Sequence, residues 1–260
     1  MAKVIAIINQ KGGVGKTTTA VNLSALLGAM GQRVLMIDLD PQGNTTSGLG
    51  MEVDDKSIYE VIMGRMKLTD VMEETEFKNL SIAGSDVRLA NAELELVEFE
   101  KREYRLKTAV QSVQQDFDFI FIDCPPSLGL LTINALGAAD SVLIPIQCEY
   151  YALEGVASLM NTISRVKKTI NPHLEIEGVL LTMLDGRTNL GLQVVDEVKK
   201  HFKKQVYATV IPRSVRLGEA PSHGEPIHVY DKRSAGCVAY VNLAKEVLKR
   251  NNIKVKEFKL

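Results

Sequence analysis

The sequence predicts an α/β protein built on a mostly parallel, twisted sheet with helices on both faces. Three observations predict it. Short continuous apolar runs recur along the chain, as strands covered on both faces require. Stretches with helical spacing lie between them, so the order is that of βαβ units. The composition is that of a globular chain, with 45% hydrophobic and 24% charged residues over 260 positions. That balance excludes disordered, collagen-like and disulfide-scaffold classes.

Each element has its own reason. Lys3–Asn9 is a buried strand running into a glycine-rich loop. Thr17–Met30 carries Ala20, Leu23, Leu27 and Met30 at helical spacing, and Gly31 ends it. Arg33–Leu39 is a second apolar strand, ending at Asp38 and Asp40. Ser57–Met63 is a short helix and Leu80–Ala83 a short strand; the segment Gly48–Gly84 around them is the expected insertion over the sheet edge. Ala90–Gln115 has helical periodicity without Pro or Gly. Phe117–Ile122 is a buried strand ending at Asp123, followed by a Leu128–Leu136 helix and a Ser141–Ile146 strand. Leu153–Ile170 is helix, Ile176–Met183 strand, Leu190–Phe202 helix, Val206–Ile211 strand and Ala235–Lys249 helix. No repeat, low-complexity stretch or linker divides the chain, so 1–260 is read as one domain.

Cys124, Cys148 and Cys237 are widely separated, which argues against a disulfide framework or a paired-cysteine metal site. No apolar run approaches the ~18 residues of a membrane span, and the start lacks a signal-peptide core. A cytoplasmic location is expected. Aromatics are 5% with no Trp, too few for a base-stacking platform. Charge is uneven. Residues 1–150 hold 13 Lys+Arg against 21 Asp+Glu, and residues 151–260 hold 18 against 11. The basic half suits a polyanion, or simply solvated helix faces.

The decisive segment is Lys11-Gly12-Gly13-Val14-Gly15-Lys16-Thr17-Thr18, between strand and helix. Glycines let backbone N–H groups turn inward around a phosphate chain. The helix start adds its positive end. Lys16 reaches the β and γ phosphates and the Thr17 hydroxyl ligates Mg²⁺. The fold is therefore P-loop NTPase-like. The usual pattern needs Gly at position 10, where Gln10 stands, and Lys11 is an additional cation. Asp123, at the carboxyl end of a buried strand, holds Mg²⁺ through water.

This loop resembles the deviant Walker A motif of the ParA/MinD ATPases. Asp38-Leu39-Asp40-Pro41-Gln42-Gly43-Asn44 resembles that family's switch I. Phe119 to Pro126 resembles its Walker B strand and switch II. Ile211 to Ser222 resembles the segment near the adenine in the Soj-like chromosome-partitioning branch. The resemblance covers nearly the whole chain. It implies ATP and Mg²⁺ as cofactors, with the site formed by Lys11, Gly12, Gly13, Val14, Gly15, Lys16, Thr17 and Thr18. Asp40 positions the attacking water, and Asp38 supports the metal shell or simply forms the turn before Pro41. Lys11 reaches across a sandwich dimer to the partner's nucleotide, in the manner of an arginine finger. Pro212 and Ser214 border the adenine; Ser214 stands where many Soj-like chains carry Asn.

The resemblance further implies DNA binding without sequence preference through Arg187 and Arg216, and a ParB-like protein that stimulates slow hydrolysis and release. The protein would then sit on the nucleoid, without stable membrane association. Lys199, Lys200, Lys203 and Lys204, and Lys245, Lys249 and Arg250, either extend the basic patch or are solvated helix ends. Two rival readings share the loop. A MinD-like membrane-cycling ATPase needs an amphipathic C-terminal helix, and Ile253, Val255, Phe258 and Leu260 form a poor helical face. An iron–sulfur protein needs cysteine spacing that is missing here.

Overall fold

The computed structural model describes residues 1–153, 155–255 and 258. Its strands are β1 (Lys3–Ile7), β2 (Val34–Asp38), β3 (Met72–Glu74), β4 (Leu80–Ala83), β5 (Phe119–Asp123), β6 (Ser141–Gln147), β7 (Glu175–Leu184) and β8 (Val206–Pro212). They form one eight-stranded sheet in the order β3-β4-β2-β5-β1-β6-β7-β8. Every neighbouring pair is parallel except β3 with β4. The helices are α1 (Lys16–Ala29), α2 (Asn44–Gly48), α3 (Ile58–Ile62), α4 (Leu68–Val71), α5 (Leu89–Glu95), α6 (Arg105–Gln111), α7 (Leu130–Ala138), α8 (Val156–Thr169), α9 (Asn189–Phe202), α10 (Val215–Glu219), α11 (Ile227–Tyr230) and α12 (Ala235–Arg250).

Successive strand side chains point to opposite faces, and both faces are buried. Val4, Ala6, Ile120, Ile122, Val142 and Ile144 pack against α3, α5, α6, α7, α8 and α9. Ile5, Ile7, Phe119 and Phe121 pack against α1 and α12, with α10 and α11 beside them. Each fully buried Leu, Ile or Phe contributes about 1.5–3 kcal/mol. Parallel pairing gathers the carboxyl ends of β1, β2, β5, β7 and β8 at one end of the sheet. Open α/β sheets bind ligands there.

Two expectations need correction. The segment Gly48–Gly84 does not lie over the edge; it builds the edge. β4 pairs parallel with β2, and β3 closes the sheet antiparallel to β4. β3 carries exposed Glu73 and Glu74 and so has no apolar signal. The stretch Ala90–Gln115 is not one helix. It breaks between α5 and α6, with Lys101 in the left-handed region at φ 52°. The break lets Leu89, Ala92 and Leu96 on one side, and Leu106, Val110 and Val113 on the other, reach the same core. Packing here overrides propensity.

Candidate functional site

The loop after β1 is pinned from below. The Asn9 amide donates to the Pro145 carbonyl at 2.7 Å, and its Oδ1 accepts the Lys11 N–H at 3.0 Å. The Thr182 hydroxyl donates to the Val14 carbonyl at 2.8 Å. Gly13 and Gly15 adopt φ of 73° and 89°, a region that disfavours side chains. Gly15 caps α1 without any side-chain bond, so the first N–H groups of the helix stay open to an anion. The Lys16 ammonium folds back to the Lys11 carbonyl at 3.3 Å. Burial holds Lys16 below its ordinary value, against the opposing pull of Asp123. The Lys11 ammonium lies 3.9 Å from Glu149.

Facing this loop are three buried carboxylates, Asp38, Asp40 and Asp123. Asp123 Oδ2 accepts the hydroxyls of Thr17 at 2.8 Å and Thr45 at 2.6 Å. Its Oδ1 is buried without a partner. Burial pushes Asp123 up to about 6, with the two threonine bonds pulling back. Asp38 Oδ2 accepts the Thr46 N–H at 2.9 Å and its hydroxyl at 2.7 Å, while Oδ1 accepts the Asp40 N–H at 3.2 Å. Burial, then the Asp123 charge, pushes Asp38 up to about 7. Asp40 Oδ1 accepts the Gln42 N–H at 3.0 Å.

This donor set fits a small hard cation. Thr17 and Asp123 meet directly, and the orphaned Asp123 Oδ1 supplies a free lone pair. Among the described residues no three His, Cys, Asp or Glu side chains form a cage of their own. Mg²⁺ characteristically takes one or two carboxylates plus phosphates and water. Both oxygens of Asp38 accept hydrogen bonds, one from Thr46 and the other from the Asp40 N–H. The cysteines do not converge: Cys124 and Cys237 are separately buried and all three are free.

A cavity of about 220 Å³ opens beside the loop. Gly15, Thr18, Met183, Pro212, Ser214 and Leu217 line it. Pro212 and Ser214 thus lie beside the loop. Sequence reasoning missed Met183, held at φ 54°, and Tyr240, whose hydroxyl lies 3.1 Å from that of Thr19. Tyr240 is 221 residues from Thr19, and no local motif announces it. Thr45 and Thr46 were within reach, since they directly follow the switch I run.

Comparison with known proteins shows the family. A family model described as an AAA domain matches residues 2–176. The sporulation initiation inhibitor protein Soj of Bacillus subtilis is 59% identical over 249 residues, covering 95% of this chain and 98% of that one. The chromosome partitioning protein ParA of Myxococcus xanthus is 51% identical, covering 98% and 90%. The chain belongs to the ParA/Soj family. Among solved structures, cobyrinic acid a,c-diamide synthase from Mycobacterium smegmatis, with bound ATP analog and magnesium, superposes with a TM-score of 0.85. It is 37% identical, with 100% of each chain covered. The protein is accordingly a P-loop ATPase of the ParA/MinD type.

In this ParA/Soj chain the two arginines expected to contact DNA follow neighbouring strands. Leu184 at the end of β7 pairs with Pro212 at the end of β8. The loop after β7 carries Arg187 and helix α10 after β8 carries Arg216, both exposed, at the end of the sheet that holds the phosphate loop. The lysine clusters lie elsewhere. Lys199, Lys200, Lys203 and Lys204 directly precede β8 and sit at the opposite end of the strands. Arg250 is committed to structure: it donates to the carbonyls of Glu177, Gln205 and Val206 and stacks on Tyr207 at 3.9 Å.

Proposed function

We propose that residues 1–260 form one ParA-type ATPase domain that binds Mg²⁺-ATP, dimerises around it, and then binds DNA without sequence preference. Lys16 and the open N–H groups of α1 hold the phosphates. Thr17 and Asp123 hold Mg²⁺, which supplies charge neutralisation at the γ phosphate when bound. Asp38 supports that shell by fixing Thr46. Asp40 orients the attacking water, and Lys11 leaves Glu149 to serve the partner's nucleotide. Phosphoryl transfer asks mainly for such positioning and charge.

One observation carries the link from nucleotide to DNA. Helix α10 presents Arg216 outward while its Leu217 and Gly218 line the base cavity. Occupancy of the cavity therefore bears on the position of a DNA-contacting arginine. Two copies double the basic face, so dimerisation gates affinity by avidity. The similarity to partitioning proteins supports a role in chromosome or plasmid partitioning on the nucleoid, with a ParB-like partner stimulating hydrolysis. Against membrane cycling stands the C-terminal segment: Ile253 and Phe258 pack on the second core. Leu260 lies outside the described residues.

The test is fluorescence anisotropy of a random-sequence duplex titrated with protein in Mg²⁺-ATP and in Mg²⁺-ADP. ATP-dependent, salt-sensitive binding is expected. Absence of binding by an ATP dimer, with cosedimentation on anionic liposomes, would replace this reading by the membrane-cycling one.

A further inference from the structure

Both arginines on the proposed DNA face are already engaged by carboxylates. Arg187 makes a two-pronged contact with Asp185: Nε donates to Oδ1 at 2.8 Å and Nη2 to Oδ2 at 2.7 Å. The Arg187 N–H also donates to Oδ1 at 3.1 Å, closing a turn. Arg216 Nη1 donates to Glu219 Oε2 at 2.9 Å, and its Nε lies 3.5 Å from Asp231 Oδ2. The Tyr230 hydroxyl donates to the same Glu219 oxygen at 3.2 Å. A guanidinium fork matches a carboxylate and a phosphate equally well. Each carboxylate therefore occupies the donors that a DNA phosphate needs.

We propose that Asp185 and Glu219, assisted by Asp231, are internal competitors for phosphate that set the DNA affinity of this face. The inference rests on the DNA-binding reading above and adds the residues that tune it. The carboxylates must be displaced, and that lowers the affinity of a single copy. Arg187 stays exposed, with its side chain 89% accessible, so a duplex can reach it without unfolding the loop. The contact is weak in the way exposed pairs are weak. Weakness suits a competitor: a stronger clamp would exclude DNA, and no clamp would let one copy bind alone.

The experiment compares wild type, Asp185→Asn and Glu219→Gln by anisotropy on a random-sequence duplex in Mg²⁺-ATP. Asparagine at 185 keeps an acceptor for the Arg187 N–H, so the turn is retained. Each substitution is expected to tighten binding about 2- to 5-fold per released arginine, the range of an exposed pair. A double-mutant cycle separates release from a general change of field. In an Arg187→Ala background the Asp185→Asn gain disappears if release is the cause. A gain that persists there, or no gain in either variant while wild type binds DNA, overturns the inference and leaves the DNA reading standing. Binding by the variants alone supports it. No DNA binding by any of the three proteins overturns both.

Discussion

The nucleotide end and the basic face are neighbours built on opposite principles. At the nucleotide end Asp38 is 0% exposed and Asp123 1% exposed. Their oxygens are fixed by Thr17, Thr45 and Thr46 at 2.6–2.9 Å. In that low-dielectric setting hydrogen bonds are strong and an unpaired group is costly. On the basic face Arg187 and Arg216 stand in solvent and pair with nearby carboxylates, where pairing is worth little. Chemistry on a γ phosphate needs donors and acceptors set in place beforehand. Contact with any DNA sequence needs charges that adjust to a phosphate wherever it falls. The difference teaches that one end is organised for precision and the other for exchange.

Four substitutions break or sharpen that contrast, beginning with the largest expected effect. Asp40→Ala should cut single-turnover phosphate release by roughly 10²–10⁴-fold, the usual worth of a positioned general base or water-orienting group. ATP affinity should survive, and the ATP-bound dimer should persist on DNA. Normal hydrolysis would remove Asp40 from the mechanism. Lys16→Ala should weaken ATP binding by about 100-fold or more in calorimetry, as expected for lost charge-assisted bonds. Unchanged ATP affinity would remove Lys16 from the phosphate site.

Thr46→Val removes one of the bonds to buried Asp38. It should lower unfolding free energy by about 2 kcal/mol, read as a lower denaturant midpoint. An unchanged midpoint would mean that switch I is not braced through Asp38. Arg187→Ala should have the smallest effect on a single copy. A loss of about tenfold in DNA affinity and a salt slope shallower by about one are expected. A loss confined to particular sequences would point to base recognition instead.

The lysine clusters sharpen the same contrast from the sequence side. Counting charge located a basic half but could not orient it. Lys199, Lys200, Lys203 and Lys204 and the Arg187–Arg216 pair belong to the same half, yet they occupy opposite ends of the strands. Charge counts are blind to strand direction, and only the order of β7, α9 and β8 in space separates the two groups. The site was legible where it is local. Lys11 to Thr18, Asp38 to Asn44 and Asp123 each sit within a few residues of a strand end, where periodicity and turn residues place them. The site was not legible where it is assembled from afar, as with Thr182 at the phosphate loop or Tyr240 at Thr19.

The sequence by itself determined the alternation of strands and helices, the phosphate loop and its extra lysine, and the acidic residues at two strand ends. These are short-range features, read from spacing along the chain. The tertiary structure alone decided that the Ala90–Gln115 stretch breaks at Lys101, that residues 72–83 complete the sheet edge, and that Thr17 and Thr45 donate to the same oxygen of Asp123. It also decided that Arg187 and Arg216 are each met by a carboxylate. Those outcomes depend on contacts between distant segments, whose free energy appears only once the sheet has brought them together.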